Sequence, residues 1–309
     1  MTRLLNIGSI NIDYVYQVPH FLRAGETLEA VSRAIFMGGK GLNQSVAAKR
    51  SGLEVIHLGV LGADGTFLRD FMQTEGIDVR FLRTDNTLPT GHTVIQVTPD
   101  AENAILYFAG TNHAIDRELV REALRTLETD DFVLMQNEVN DVGFCLTEAK
   151  KQGLVTIFNP APYSPEVLNY PLDQVDVLIV NETEARGILG ADLADDDEIL
   201  KSLRERFPHA AIFLTLGKRG MKCDLGQGLQ PMSFKAFKVK AVDTTGAGDT
   251  FVGYAVRALM AYRETKDIKV FKKEIETAML AAATSVTREG AVPSIPKINE
   301  LTLAAKTGD

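Results

Sequence analysis

Short apolar runs alternate with stretches of helical period along most of this chain. Residues 4–8, 55–60, 132–136, 155–158, 177–180 and 212–216 are nearly continuous in apolar character. That is how strands covered on both faces read. Between and after them, residues 42–51, 67–75, 118–127, 142–152, 196–206, 250–262 and 270–287 carry apolar residues at helical spacing. The alternation predicts an α/β fold: a three-layer, doubly wound, mostly parallel sheet with helices on both faces.

Two segments break the alternation. Residues 13–36 hold Tyr14-Val15-Tyr16-Gln17-Val18 and a second extended stretch at 27–36, with no convincing helix. Residues 90–110 hold Thr93 to Thr98 and Ala104 to Phe108, separated by a turn at Pro99-Asp100. Four strands from two separated insertions predict a small β-sheet lid outside the core, over an active site. The expected domains are therefore a core of 1–12, 37–89 and 111–309 and a lid of 13–36 and 90–110. Open strand edges seek partners, so the lid also predicts a homodimer. The acidic run 192–198 reads as a solvated loop and helix start.

Composition narrows the chemistry. The chain has 309 residues, 45% hydrophobic and 24% charged, with net charge -8. It has no Trp and no basic stripe, which argues against nucleic acid as a partner. No apolar run approaches the roughly 18 residues of a membrane span. The first residues read as a strand rather than a signal peptide. Cys145 and Cys223 form no CxxC pair and the five histidines are scattered, which speaks against structural zinc. A reduced, cytoplasmic setting is expected.

Asp243-Thr244-Thr245-Gly246-Ala247-Gly248-Asp249, followed by the apolar helical run at Phe251, Val252, Ala255 and Leu259, carries the clearest chemistry. Small residues at a helix start leave backbone amides pointing at one spot, and the helix dipole makes that spot an anion site. Asp249 either caps this helix or takes a proton from a hydroxyl while the amides hold a phosphoryl group. Neither a GxxxxGK[ST] loop nor a GxGxxG follows the first strand, so phosphate handling falls to Gly246–Asp249.

Other motifs fit the same reaction. In Gly8-Ser9-Ile10-Asn11-Ile12-Asp13, at the end of the first strand, Asn11 and Asp13 are two apart and face one side. They can grip adjacent hydroxyls, or form a plain polar turn. Gly38-Gly39-Lys40-Gly41-Leu42-Asn43 permits close backbone approach at Gly39 and supplies donors at Lys40 and Asn43. Asn181-Glu182-Thr183-Glu184 has capping-box spacing. Asn181 would otherwise meet nucleotide phosphates and Glu184 a magnesium-bound water, and the spacing serves both readings. Thr215-Leu216-Gly217-Lys218-Arg219-Gly220 is an ATP contact or a hairpin turn. Glu138 on its own reads as a solvated loop acid.

With 135–138, Asn159-Pro160-Ala161-Pro162 and 287–294 added, these motifs run in the order seen in the ribokinase-like (PfkB) carbohydrate kinase family. The chain resembles that family over nearly its whole length. The resemblance implies ATP, Mg²⁺ and K⁺ as cofactors, with Asp249 as catalytic base and Gly246, Ala247 and Gly248 as anion hole. It implies sugar contacts from Asn11, Asp13, Gly39, Lys40, Asn43, Glu138 and Asp249. Asn181, Thr215, Gly217, Gly220 and Gly248 would contact the nucleotide, and Glu184 would hold magnesium through water. Asp243, Thr245, Ser285, Arg288, Gly290 and Ser294 match a potassium site. GGKGxN with NPAP and NETE points, within the family, to phosphorylation of D-ribose at the 5-hydroxyl. The alternatives are another sugar or nucleoside (2-deoxyribose, a hexose), or a silent sugar-binding regulator. Leu42 stands where Ala is usual, and Asn137 where an apolar residue is common.

Overall fold

The structure, a computed structural model, describes residues 2–100 and 102–304. Residues 1, 101 and 305–309 of the expected core and lid lie outside the described residues. The strands are β1 (Leu4–Ile7), β2 (Asn11–Gln17), β3 (Ser32–Gly38), β4 (Val55–Gly62), β5 (Asp78–Asp85), β6 (Gly91–Val97) and β7 (Asn103–Phe108), then β8 (Phe132–Gln136), β9 (Val155–Asn159), β10 (Val177–Asn181), β11 (Ala211–Thr215), β12 (Met221–Asp224) and β13 (Met232–Phe234). The helices are α1 (Lys40–Arg50), α2 (Thr66–Thr74), α3 (Arg117–Leu124), α4 (Val142–Lys151), α5 (Glu182–Leu189), α6 (Asp196–Arg206), α7 (Ala247–Thr265), α8 (Ile268–Ser285) and α9 (Ile298–Ala304).

Nine strands form one sheet in the order β13-β12-β11-β10-β9-β8-β1-β4-β5. It is parallel from β5 to β11, and β12 and β13 add an antiparallel edge. The central strands β1, β4, β8 and β9 are buried at every residue, which is why their sequences lack polar alternation. Successive residues still face opposite layers. Leu4, Leu134, Ile157 and Phe213 pack with α1, α7 and α8, while Leu5, Val133, Phe158 and Ile212 pack with α3, α4, α5 and α6. The sheet is thus sandwiched between two helical layers, as the alternation of runs predicts.

Where the pattern of apolar runs failed, the reason is local. β5 is an edge strand, and Asp78, Arg80, Arg83 and Asp85 interrupt its apolar character. α5 starts directly off β10, capped by Asn181, and is only eight residues long. The short strands β12 and β13 carry too few apolar residues to stand out.

The second sheet is β3-β2-β6-β7. β2 pairs parallel with β6, whereas β3 and β7 add antiparallel on either side. β2 follows β1 directly and β6 follows β5, so both central strands leave the core at the same end of the main sheet. Ile35, Ile105, Leu106 and Phe108 of this sheet are exposed, Leu106 by 71%.

Two close approaches set the distance between α1 and its neighbours. A Cβ added at Gly41 would lie 2.4 Å from the Ser9 nitrogen and 2.5 Å from the Gly8 carbonyl carbon. One at Gly253 in α7 would lie 2.5 Å from Ala47 Cβ and 2.6 Å from the Ala48 nitrogen. Real Cβ atoms do not tolerate such contacts, so glycine brings α1 against both the end of β1 and α7.

Candidate active site

The start of α7, the candidate anion site, has no side-chain cap. Gly246 is the N-cap residue, in the left-handed region at φ 75°. The first-turn amides therefore lack the side-chain acceptor that usually satisfies them. A Cβ at Gly248 would meet nothing within 4 Å, so the flank of this turn is open, while the Ala247 amide donates to the Thr244 carbonyl at 3.3 Å. Asp249, in this first turn, is 8% exposed. It does not cap its helix. It reaches across to α1, where Asn43 Nδ2 donates to Oδ2 and Gln44 Nε2 to Oδ1, each at 2.9 Å. Asn43 Oδ1 is buried beside it with no hydrogen-bond partner.

The other sugar-contact candidates gather at the ends of β1 and β2. Asn11 and Asp13 lie on one face of β2. Asn11 Oδ1 accepts from Asn112 Nδ2 at 2.7 Å, and Asn112 Oδ1 accepts from the Ile10 amide at 2.9 Å. Asp13 Oδ1 accepts from the Thr93 hydroxyl at 2.6 Å. A Cβ at Gly38 would lie 1.9 Å from Asp13 Oδ2, so the carboxylate occupies the room that glycine leaves. Burial raises the Asp13 carboxyl, against the lowering effect of the Thr93 hydrogen bond.

Glu138 is not a solvated acid. Its Oε2 accepts from the Ser9 hydroxyl at 2.5 Å and from the Lys40 amide at 3.0 Å. Burial raises its carboxyl, opposed by the Lys40 charge and these hydrogen bonds. The Lys40 ammonium is held above its usual value, chiefly by Asp249, against burial and with Glu138 and Glu184 assisting. One cation thus sits among three carboxylates brought from α7, from the loop after β8 and from α5.

On the opposite flank, Asn181 and Glu184 do form the capping box. Asn181 Oδ1 accepts from the Glu184 amide and Glu184 Oε2 from the Asn181 amide, both at 2.9 Å, and Asn181 Nδ2 donates to Glu184 Oε1 at 2.8 Å. Burial raises the Glu184 carboxyl. Residues 215–220 make the turn between β11 and antiparallel β12. Thr215 donates to the Val180 carbonyl at 3.3 Å, and Arg219 pairs with both Glu182 and Asp196, which ties this turn to the starts of α5 and α6.

The segment before α7 faces the segment after α8. Asp243 Oδ2 accepts from the Gly290 amide at 2.9 Å, and its Oδ1 accepts from the Thr245 amide and hydroxyl. The Val242 amide donates to the Val286 carbonyl at 2.7 Å. Gly246 lies against Ala291. The Ser285 and Ser294 hydroxyls donate to the carbonyls of Ala282 and Ala291, and Arg288 pairs with Glu300. Among the described residues no group of three or more His, Cys, Asp or Glu could hold a metal ion.

Both departures from the family pattern have structural uses. Leu42 is fully buried in the cluster between α1 and the sheet. Asn137 donates to the Pro162 carbonyl at 2.8 Å and accepts from the Tyr170 hydroxyl at 3.0 Å, pinning the loop after β8 to the loop after β9. Motif reading passed over Ser9, Gln44, Thr93 and Asn112, which hold the candidate residues in place. One signal for the buried polar layer was present: Asn6 and Gln136 interrupt otherwise apolar strands and both are fully buried.

An uncapped helix start with a buried carboxylate in its first turn, on a doubly wound sheet, suits phosphoryl transfer to a hydroxyl. The sequence profile of pfkB family carbohydrate kinases matches residues 1–298. The chain belongs to this family and is a sugar kinase. It is 36% identical over 303 residues to ribokinase from Haemophilus influenzae, covering 95% of each chain. It is 31% identical over 305 residues to deoxyribokinase from Salmonella typhi, again covering 95% of each. The solved structure of Arabidopsis thaliana ribokinase complexed with ribose and ATP has a TM-score of 0.85 at 26% identity, covering 99% of each chain.

A pH-dependent stability difference follows from Glu138. Its folded carboxyl lies above the usual carboxylate range, so the folded protein holds that proton more tightly than the unfolded chain. The stability this confers is full at low pH and is lost as pH rises through the folded value. Glu138→Gln removes the ionisation. Urea midpoints should show the variant gaining on wild type as pH rises above about 4. A difference that is flat, or falls with pH, would contradict the sign.

Proposed function

We propose that the enzyme transfers the terminal phosphoryl group of ATP to the 5-hydroxyl of D-ribose, giving D-ribose 5-phosphate and ADP. The observation that carries this reading is the pairing at Asp249. A buried carboxylate, oriented by two amides, lies beside an open helix start and beside Asn43 Oδ1, an acceptor with no donor in the protein. A sugar hydroxyl there would donate to Asn43 while a neighbouring hydroxyl faces Asp249. The relatives named ribokinase, and the Arabidopsis structure with ribose and ATP, support the choice of substrates.

In the transfer, the 5-oxygen bonds to phosphorus, the bond from phosphorus to the bridging oxygen breaks, and ADP leaves. The proton goes from the 5-hydroxyl to Asp249. Charge on the moving phosphoryl is met by the amides of Gly246, Ala247 and Gly248. The proton leaves the hydroxyl late, as its bond to phosphorus forms and it becomes acidic. Asn11, Asp13, Gly39, Lys40 and Glu138 would hold the sugar. Asn181, Thr215, Gly217 and Gly220 would hold the nucleotide. Both oxygens of Glu184 already accept hydrogen bonds, so it fits magnesium through a water rather than directly. Magnesium would neutralise the nucleotide phosphates. The carbonyl-rich contact between residues 243–246 and 285–294 fits a potassium ion, which would stiffen the anion-hole loop. The small sheet would close over the site, and the exposed Ile35, Leu106 and Phe108 on its other face would pair two copies. The setting is cytoplasmic, consistent with two buried free cysteines.

Asp249→Asn should fold and lose turnover by about 10²- to 10⁴-fold, the usual contribution of a general base. A folded variant within about threefold of wild type removes Asp249 from that role. Turnover in potassium should exceed turnover in sodium at equal ionic strength, and equal rates would refute the potassium site. Light scattering at micromolar concentration should give a dimer mass; a monomer would refute the lid interface.

The identity to a deoxyribokinase keeps 2-deoxyribose as a second reading. Asn11 and Asp13, side by side on β2, suit the adjacent 2- and 3-hydroxyls. Without the 2-hydroxyl a buried acceptor loses its donor, at about 1–3 kcal/mol. Ribose should therefore lead 2-deoxyribose by roughly 5- to 150-fold in kcat/KM. Asp13→Ala should narrow the gap. Equal kcat/KM for the two sugars would exclude the diol grip.

A further inference from the structure

Gln44 is fully buried, and every polar atom of its carboxamide is already in use. One N–H donates to Asp249 Oδ1 at 2.9 Å and the other to Asn159 Oδ1 at 3.0 Å. Its Oε1 accepts from Gln136 Nε2 at 2.7 Å. The two neighbours fix which way this amide faces. Asn159 Nδ2 donates to the Ile179 carbonyl at 2.9 Å, so its oxygen is committed to Gln44. Gln136 Nε2 also donates to Asn6 Oδ1 at 3.0 Å, and Asn6 Nδ2 donates to the Gly41 carbonyl and to Ser45 Oγ, each at 2.8 Å. Ser45 Oγ in turn meets His57 Nδ1 at 2.8 Å. Burial pushes His57 down to about 4, so the far end of this chain of contacts stays neutral.

Turning the Gln44 amide over would set its oxygen against the oxygens of Asp249 and Asn159. Its N–H groups would then face those of Gln136. Such mismatches are costly where no water can repair them. The network therefore presents an N–H, and never an oxygen, to the Asp249 carboxylate. Asn43 fixes the other carboxylate oxygen. With Asn43 alone, the carboxylate could still rotate about its last bond, where the preference among angles is broad. A base must be held within hydrogen-bond reach of the proton it takes. Gln44 has no polar atom left for a ligand, so its effect on the reaction passes through Asp249.

We propose that Gln44 is a positioning residue for phosphoryl transfer, aiming the Asp249 carboxylate, and that the buried amides of Asn6, Gln136 and Asn159 exist to hold Gln44 in its one useful orientation. This inference rests on the reading of Asp249 as the base.

The test is Gln44→Met, which keeps chain length and apolar packing but removes the hydrogen bonds. It is made in wild type and in Asp249→Asn, with rates expressed per titrated active site. In wild type, kcat should fall about 10- to 100-fold, as for a lost bond to a charged group. KM for sugar and for ATP should stay within about threefold. In Asp249→Asn the same change should alter kcat by less than about threefold, because the two residues act as one unit. Gln136→Met, remote from Asp249, supplies the second reading if Gln44→Met does not fold. It leaves the Gln44 donors but removes one of the contacts that orient the amide and leaves Oε1 without its donor, so kcat should fall by a smaller factor, and only where Asp249 is present. The same fold loss in both backgrounds, or no loss in either, overturns the positioning role while leaving the base reading intact. Full activity of Asp249→Asn itself would overturn both.

Discussion

The proposed chemistry depends on a carboxylate held in one orientation at the mouth of a helix, with little exposure to water. Two amides from α1 meet that demand at Asp249. α1 and α7 come close enough for this contact where Gly253 of α7, without a Cβ, lies against Ala47 and Ala48. Hydrogen bonds to a charged group are strong where the surroundings are dry. Small residues between the helices and the amides facing Asp249 therefore serve one end.

A second constraint is charge balance. Lys40 is a single cation among Asp249, Glu138 and Glu184, and its proton is held more tightly for that reason. Buried carboxylates without a nearby cation would take up protons instead. Glu138 and Glu184 are in fact raised by burial. Burial and the Lys40 charge thus pull these carboxyls in opposite directions. Natural sites often give up stability for function in this way.

The small sheet repeats the theme on a different scale. Its inner face carries Asp13 and Thr93, joined at 2.6 Å, while its exposed Ile35, Leu106 and Phe108 have no cover within one chain. Exposed apolar side chains lie on both faces, Phe36 and Ile105 on the Asp13 side and Ile35, Leu106 and Phe108 on the other. Its mixed pairing follows from the way two separate excursions leave one end of the core.

Periodicity alone carried the parallel core, its two helical layers and the four strands of the lid, because fully buried strands and amphipathic helices leave strong signals. The glycines at 246 and 248 and the carboxylate at 249 were readable as an anion site or as a capped turn, and the structure shows that Asp249 reaches across to α1 rather than capping its helix. The edge strand β5 and the short, capped α5 escaped, because charges and shortness blur the pattern. The Asn181–Glu184 spacing was equally compatible with a cap, and the structure makes that cap. What only the tertiary structure decided is how distant polar residues meet. Asn6, Gln44, Gln136, Asn159 and Asp249 come from five elements spread over most of the chain, and no spacing relates them. Burial turned Glu138 from an apparent loop acid into part of the site, because hydrogen bonding to Ser9 and Lys40 exists only once β1, α1 and β8 are side by side. Local sequence sets which groups each element can offer. Desolvation and hydrogen-bond geometry, which are properties of the packed whole, set which of them face one another.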